Sequence, residues 1–179
     1  MKEVLKKIVY GDKDAFEEIV QAYQKQLLVI ANSKLKDRSL SWDAVQETFI
    51  TLYLNINKIK NYDKLKSWLA VVLMNNCNKI NKKKEFIELS YDEAECEKKL
   101  ATNNEEFDKI FDEMDFFNCI SFLNEDERTI MAMYYSNEYT IKEISDILNI
   151  NLGTVKSKIS RAKIKIRMSL GGKNNEYRE

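Results

Sequence analysis

The side chains best equipped for chemistry in this 179-residue chain are cations, hydroxyls and amides, gathered on two stretches. Residues 152–173 carry seven Lys and Arg and not one Asp or Glu. Within them Val155, Ile159, Ala162 and Ile166 recur at intervals of four, three and four, the spacing of an inward helix face. The outer face is left with Thr154, Lys156, Ser157, Lys158, Ser160, Arg161 and Lys163. Such a face suits the major groove of duplex DNA, where Arg or Lys reads guanine edges and its neighbours meet phosphates. On the second stretch Asn75, Asn78, Lys79 and Lys82 share one helical stripe, followed by Lys83 and Lys84. The plain alternative is a solvated basic face, and on charge alone it would prevail.

Local signals around the first stretch change that balance. Thr140-Ile141-Lys142-Glu143 has the form of a capping box, which starts a helix with Ile141, Ile144, Ile147 and Leu148 on its apolar side. Asn149 then stands where a left-handed residue would turn the chain, Ile150 would plug the corner, and Asn151 can cap the next helix. Cap, turn, second cap and acid-free outer face, in that order, describe a DNA-binding helix-turn-helix.

Other chemistries are excluded by what is missing. There is no His, no glycine-rich phosphate loop and no convergent carboxylate pair, so nothing suggests an enzyme. Cys77, Cys96 and Cys119 are odd in number and contain no CxxC pair, which speaks for free thiols in a reducing compartment rather than a metal site or disulfide framework. No cofactor or metal is expected. No stretch approaches the roughly 20 apolar residues that cross a bilayer, and Met1-Lys2-Glu3 opens no signal peptide, so the chain is read as cytoplasmic. The 29 basic and 29 acidic residues cancel, but unevenly: residues 1–83 are net +6, residues 84–119 net −8 and residues 120–179 net +2. Because a phosphate responds to the potential within about 8–10 Å, the two basic ends matter more than the total.

The elements that must position these side chains are all helices. Proline is absent and only four glycines occur, while the apolar residues repeat at helical spacing. A first helix, capped by Asp12 and favoured at its start by Asp14 and Glu17, presents Phe16, Ile19, Val20, Tyr23, Leu27, Ile30 and Ala31 on one stripe. A second begins around residues 39–41 and turns Val45, Phe49, Leu52 and Ile56 inward, with Asp43, Gln46, Glu47 and Ile50 opposite. After a polar interruption over residues 57–66, a third buries Trp68, Leu69, Val72, Leu73 and Ile80. Periodicity fades and acids accumulate over residues 85–104, a linker; Phe107, Ile110, Phe111 and Met114 restart the pattern. The fold class is therefore all-α: two small helical domains, residues 1–84 and 105–173, joined by an acidic linker, with a short tail over residues 174–179.

Beside these features stands a resemblance. Gly153-Thr-Val-Lys-Ser-Lys-Ile-Ser-Arg-Ala-Lys163, preceded by Leu123-Asn-Glu-Asp-Glu-Arg and Tyr139-Thr-Ile-Lys-Glu-Ile, resembles the C-terminal DNA-binding domain of extracytoplasmic-function sigma factors. Gly11-Asp12-Lys-Asp-Ala-Phe16 is similar to that family's opening helix, Asp43-Ala-Val-Gln-Glu-Thr-Phe49 to its DxxQExF motif, and Trp68-Leu69 with Asn75 to its promoter-melting helix. The chain departs from the family pattern at Met74, Lys79, Lys82, Lys83 and Asn124.

The resemblance implies a promoter-recognition subunit with several partners. Asp43, Gln46, Glu47 and Ile50 would dock on core RNA polymerase. Asn75, Asn78, Lys79, Lys82 and Lys83, with Tyr62 in the preceding loop, would bind the downstream promoter element as single-stranded DNA, amides on base edges and cations along the strand. Thr154, Lys156, Ser157, Lys158, Ser160, Arg161 and Lys163 would hold the upstream element as a duplex. A dedicated anti-sigma factor, often membrane-anchored, is a further partner by resemblance. Two other readings compete: a self-sufficient helix-turn-helix regulator, which needs neither the DxxQExF helix nor the Asn/Lys face, and a helical adaptor whose basic helix binds an acidic protein.

Overall fold

Lys13–Leu35, the first long helix (α1), starts where a short acid stops the backbone from coiling earlier: Asp12 is extended and its carboxylate accepts from the Ala15 N–H at 3.1 Å. This helix belongs to a computed structural model that describes residues 7–8, 12–59, 62–90, 114–135 and 139–173. Every regular element among the described residues is helical. The chain divides into two compact units, Met1–Thr102 and Asn103–Glu179. Gly11, residues 91–104 of the acidic linker with Cys96, Phe107, Ile110, Phe111 and the tail lie outside the described residues.

In the first unit α1, α2 (Arg38–Asn55) and α3 (Leu65–Ser90) pack pairwise on one another. Lys36 closes α1 in the left-handed region at φ 52°, its N–H returning to the Asn32 carbonyl at 3.0 Å. Asp37 then caps α2, accepting from the Leu40 N–H at 2.9 Å, while its carbonyl takes the Ser41 hydroxyl at 2.6 Å. The helix accordingly starts at Arg38, ahead of the expected start at residues 39–41. A carboxylate in extended backbone outcompetes a hydroxyl one turn on, and Ser41 is buried instead.

The inward faces follow the sequence with one displacement. Val45, Phe49, Leu52 and Ile56 are all buried. On α1 burial concentrates in the later half, where Leu28 and Val29 are enclosed beside Leu27, Ile30 and Ala31, while Phe16, Val20 and Tyr23 of the expected stripe are only half-buried. On α3, Leu69 and Leu73 are enclosed, but Trp68, Val72 and Ile80 are only half-buried. The buried stripe is Leu65, Leu69, Ala70, Leu73, Met74 and Cys77, rotated about one residue from the expected one, because α3 meets α1 and α2 together. The helix also continues to Ser90, six residues past Lys84, so the start of the acidic segment is helical.

One polar contact lies inside this core. Asn76 donates to the Thr48 hydroxyl at 3.2 Å, and that hydroxyl donates to the Ala44 carbonyl at 2.7 Å. Both side chains are buried, so the Asn76 amide would cost free energy without Thr48, whereas the Thr48 hydroxyl keeps the Ala44 carbonyl.

The second unit is α4 (Met114–Ile120), α5 (Glu125–Tyr135), α6 (Ile141–Leu148) and α7 (Leu152–Lys173). Asn124, where the resembled family often has proline, makes a reciprocal cap: its carboxamide oxygen accepts from Glu127 N–H at 2.9 Å and Glu127 Oε2 accepts from Asn124 N–H at 3.4 Å. Seven consecutive residues from Glu127 to Met133 are buried, so the middle of α5 is enclosed all round, and α6 and α7 pack against it. Burial pulls the Arg128 guanidinium below its ordinary pKa, opposed by the Glu125 carboxylate, and its Nη1 donates to the Leu123 carbonyl.

Thr48→Val should lower unfolding stability by about 1–3 kcal/mol, because the Asn76 amide is left buried without its acceptor. Replacing both partners, Thr48→Val with Asn76→Leu, should cost less than Thr48→Val alone; urea unfolding of the three proteins measures the difference.

Candidate nucleic-acid interface

The turn between α6 and α7 is built by hydrogen bonds at each step. Thr140 Oγ1 accepts from Glu143 N–H at 3.2 Å while Glu143 Oε2 accepts from Thr140 N–H at 2.8 Å, the complete capping box. Asn149 ends α6 at φ 53°, ψ 46°. Ser145 then locks the corner from both sides: its carbonyl accepts from Ile150 N–H at 3.1 Å and its hydroxyl donates to the Ile150 carbonyl at 2.6 Å. The Asn151 carbonyl accepts from Val155 N–H at 3.1 Å as α7 begins. Beside this corner Ser145, Asp146, Asn149, Ile150, Asn151 and Thr154 line an open polar groove of about 570 Å³.

On α7 the inner positions are as the spacing required: Val155, Ile159 and Ala162 are buried and Ile166 is half-buried. The outer stripe is less uniform than its sequence. Thr154, Lys156, Ser160, Arg161 and Lys163 are exposed, whereas Ser157 and Lys158 are half-buried. Ser157 donates its hydroxyl back to the Thr154 carbonyl at 2.9 Å. Lys158 Nζ lies 2.8 Å from Asp126 of α5, and Lys163 Nζ sits 4.8 Å above the Tyr134 ring. Further along, Lys165 reaches both oxygens of buried Glu127 at 2.8 Å. Lys156 and Arg161 are thus the exposed cations of the stripe with neither an ion pair nor a ring contact among the described residues. Asp126, Tyr134 and Glu127 were not picked out from sequence, since contacts made 29 to 38 positions away leave no local periodic signal.

The first unit presents two faces. Asn75, Asn78, Lys79, Lys82 and Lys83 are all exposed on α3, opposite the buried Asn76 and Cys77. Lys84 lies 3.8 Å from the Asp37 cap of α2. Tyr62 belongs to a short 3-10 turn, Tyr62–Lys64, and its side chain lies outside the described residues. On α2, Asp43, Gln46, Glu47 and Ile50 are exposed together along one stripe. That stripe extends one turn beyond the expected residues, to Leu54, which is 72% exposed and stands at the i, i+4 step from Ile50.

Known proteins place the two units in a family. The model of sigma-70 region 2 matches residues 6–85 and that of sigma-70 region 4 matches residues 114–166. The two units therefore define a sigma-70-type initiation factor. The ECF RNA polymerase sigma factor SigW of Bacillus subtilis is 29% identical over 180 residues, covering 95% of this chain and 96% of the relative. SigM of the same organism is 28% identical, covering 84% and 92%. Among solved structures, the sigma factor RpoE in complex with the anti-sigma factor NepR from Bartonella quintana superposes with a TM-score of 0.66 at 19% identity, covering 87% of this chain and 96% of that one. CnrH in complex with the cytosolic domain of CnrY gives 0.63 at 16%, covering 94% and 96%. The chain belongs to the extracytoplasmic-function family of RNA polymerase sigma factors. It is an alternative sigma factor that directs transcription initiation, and the family consists of non-catalytic initiation factors.

If the positive φ at Asn149 sets the turn, Asn149→Val should destabilise the second unit by about 1–2 kcal/mol while Asn149→Gly leaves it nearly unchanged, since glycine has no Cβ to oppose the left-handed region and a β-branched side chain opposes it most. Thermal unfolding followed by circular dichroism distinguishes the two.

Proposed function

We propose that the three exposed faces divide promoter recognition among core enzyme, melted strand and duplex. Asp43, Gln46, Glu47 and Ile50 on α2 are the dock for core RNA polymerase: two carboxylates and a carboxamide offer charge complementarity to a basic partner, and Ile50 with Leu54 supplies apolar area beside them. Asn75, Asn78, Lys79, Lys82 and Lys83 on α3, with Tyr62 nearby in sequence, hold the downstream element as a single strand. The outer face of α7 holds the upstream element as a duplex, with Arg161 and Lys156 making the principal contacts and Thr154, Ser157 and Ser160 adding hydroxyls. The protein works in the cytoplasm without chemistry of its own, in response to stress or an envelope signal. An anti-sigma factor restrains it, a reading supported by the two similar solved chains, both described as bound to their partners; such a partner is often membrane-anchored. Among the described residues, no helix of this chain is itself long and apolar enough to cross a membrane.

The observation that carries this reading is the exposed, acid-free face of α7 on a helix-turn-helix whose cap, turn and lock are all formed. Run-off transcription on promoter fragments, with core polymerase alone and with the chain added, tests it: new start sites should require the chain, and an unchanged transcript pattern would contradict it.

Variants should separate the faces. Glu47→Lys should weaken core binding in a pull-down while leaving thermal stability within about 0.5 kcal/mol, as expected of an exposed position. Arg161→Ala should weaken upstream-element binding by the holoenzyme by about 1–3 kcal/mol and relax its base preference at one position. Gly153 offers a test in which stability and binding diverge. A Cβ there would meet nothing within 4 Å, so the fold does not need glycine, and Gly153→Ala should stabilise the helix by about 0.5–1 kcal/mol. Where DNA fills that space, the same change should reduce promoter binding.

A further inference from the structure

Lys158 stands near the middle of the outer stripe of α7, four residues after Thr154 and three before Arg161. An ammonium at that position, on a helix facing duplex DNA, would be expected on a phosphate. It is instead bonded to Asp126 Oδ2 at 2.8 Å. The two lysines that pair with α5 differ in a telling way. Lys165 meets Glu127, whose side chain is only 5% exposed and which also closes the Asn124 cap, so that pair serves the interior. Asp126 is 67% exposed, while Lys158 is 24% exposed. A pair with so open a carboxylate contributes little to folding. Its consequence is electrostatic: it neutralises one cation of the DNA-facing stripe and leaves a fixed carboxylate at that stripe's edge. Asp126 lies in the first turn of α5, where the helix dipole favours the negative charge, so the carboxylate is held in place from both sides.

We propose that Asp126 limits affinity for DNA: it withholds Lys158 from the phosphate backbone, so that sequence-independent binding by the free chain stays weak and retention on DNA depends on base contacts and on the polymerase. This rests on the reading that α7 meets duplex DNA. Every phosphate contact raises affinity for all sequences alike, so cancelling one cation weakens non-promoter binding without removing the base-reading Arg161. For a promoter-recognition subunit that must ignore most of the genome, a carboxylate at this position improves discrimination by subtraction.

The test uses the full chain and a fluorescent non-promoter duplex, with anisotropy titrations over a salt series. Asp126→Asn should bind several-fold more tightly than wild type at low salt and steepen the dependence of log K on log salt by about 0.9, the signature of one added phosphate contact. In Asp126→Asn with Lys158→Ala that steepening should disappear. Circular dichroism establishes that the variants are folded. An Asp126→Asn slope no steeper than wild type overturns the proposal, as does a steepening that survives in the double variant or that is lost equally in the charge-matched Asp126→Asn with Lys13→Ala, exposed on α1, because the gain would then not come from a released lysine. Run-off transcription with wild-type holoenzyme reports separately on the underlying reading: a wild type that initiates while Asp126→Asn shows no added duplex affinity rejects the role of Asp126 alone, and one that neither initiates nor binds duplex rejects both.

Discussion

A helix with seven cations and no acid repels itself, and the second unit depends on how that helix is held. Its inner residues Val155, Ile159 and Ala162 are buried against enclosed neighbours, which fixes its rotation. Lys165 on buried Glu127 ties its later half to the start of α5. Ser145 and Ile150, bonded in both directions across the corner, tie its beginning to α6. The outer face keeps a single orientation because all three restraints act on the other side. An interface that binds DNA through donors at fixed spacing needs that rigidity before it needs any particular base contact.

The first unit solves a different problem with the same material. Three helices enclose a core of Leu, Ile and Val, with the Thr48–Asn76 contact as a polar exception that fixes how α2 lies on α3. Two surfaces remain, an acidic and apolar one on α2 and a cationic and amide-bearing one on α3. Opposite charge characters on neighbouring helices suit the proposed division of one small unit between a basic protein surface and a nucleic acid. A formal charge of zero is compatible with a DNA-binding role because the acids concentrate over residues 84–119, net −8, between two basic ends.

Much of this was legible in the sequence where the determining interactions are local. The Thr140 capping box, the left-handed Asn149, the inward Val155, Ile159 and Ala162, and the exposed Asp43, Gln46, Glu47 and Ile50 all depend on residues within a turn or two of one another. The start of α2 was missed because Asp37 follows a left-handed Lys36, and nothing in the composition marks a lysine for that conformation. The buried stripe of α3 was placed about one residue off because its position is decided by two partner helices rather than by its own periodicity. Least legible was the state of the cations: Lys156 and Lys158 look alike in sequence, yet one is exposed and the other is bonded to a residue on another helix.

The central claim is that one chain contacts promoter DNA in two forms, single-stranded through α3 and duplex through α7. Permanganate reactivity combined with nuclease footprinting of the holoenzyme on one promoter tests it most directly. Unpaired thymines should appear in the downstream element and be lost when Asn75, Asn78 and Lys79 are replaced by alanine, together with duplex protection upstream that those replacements leave in place. Upstream protection of the same extent without core polymerase, or protection with no thymine ever exposed, would contradict it.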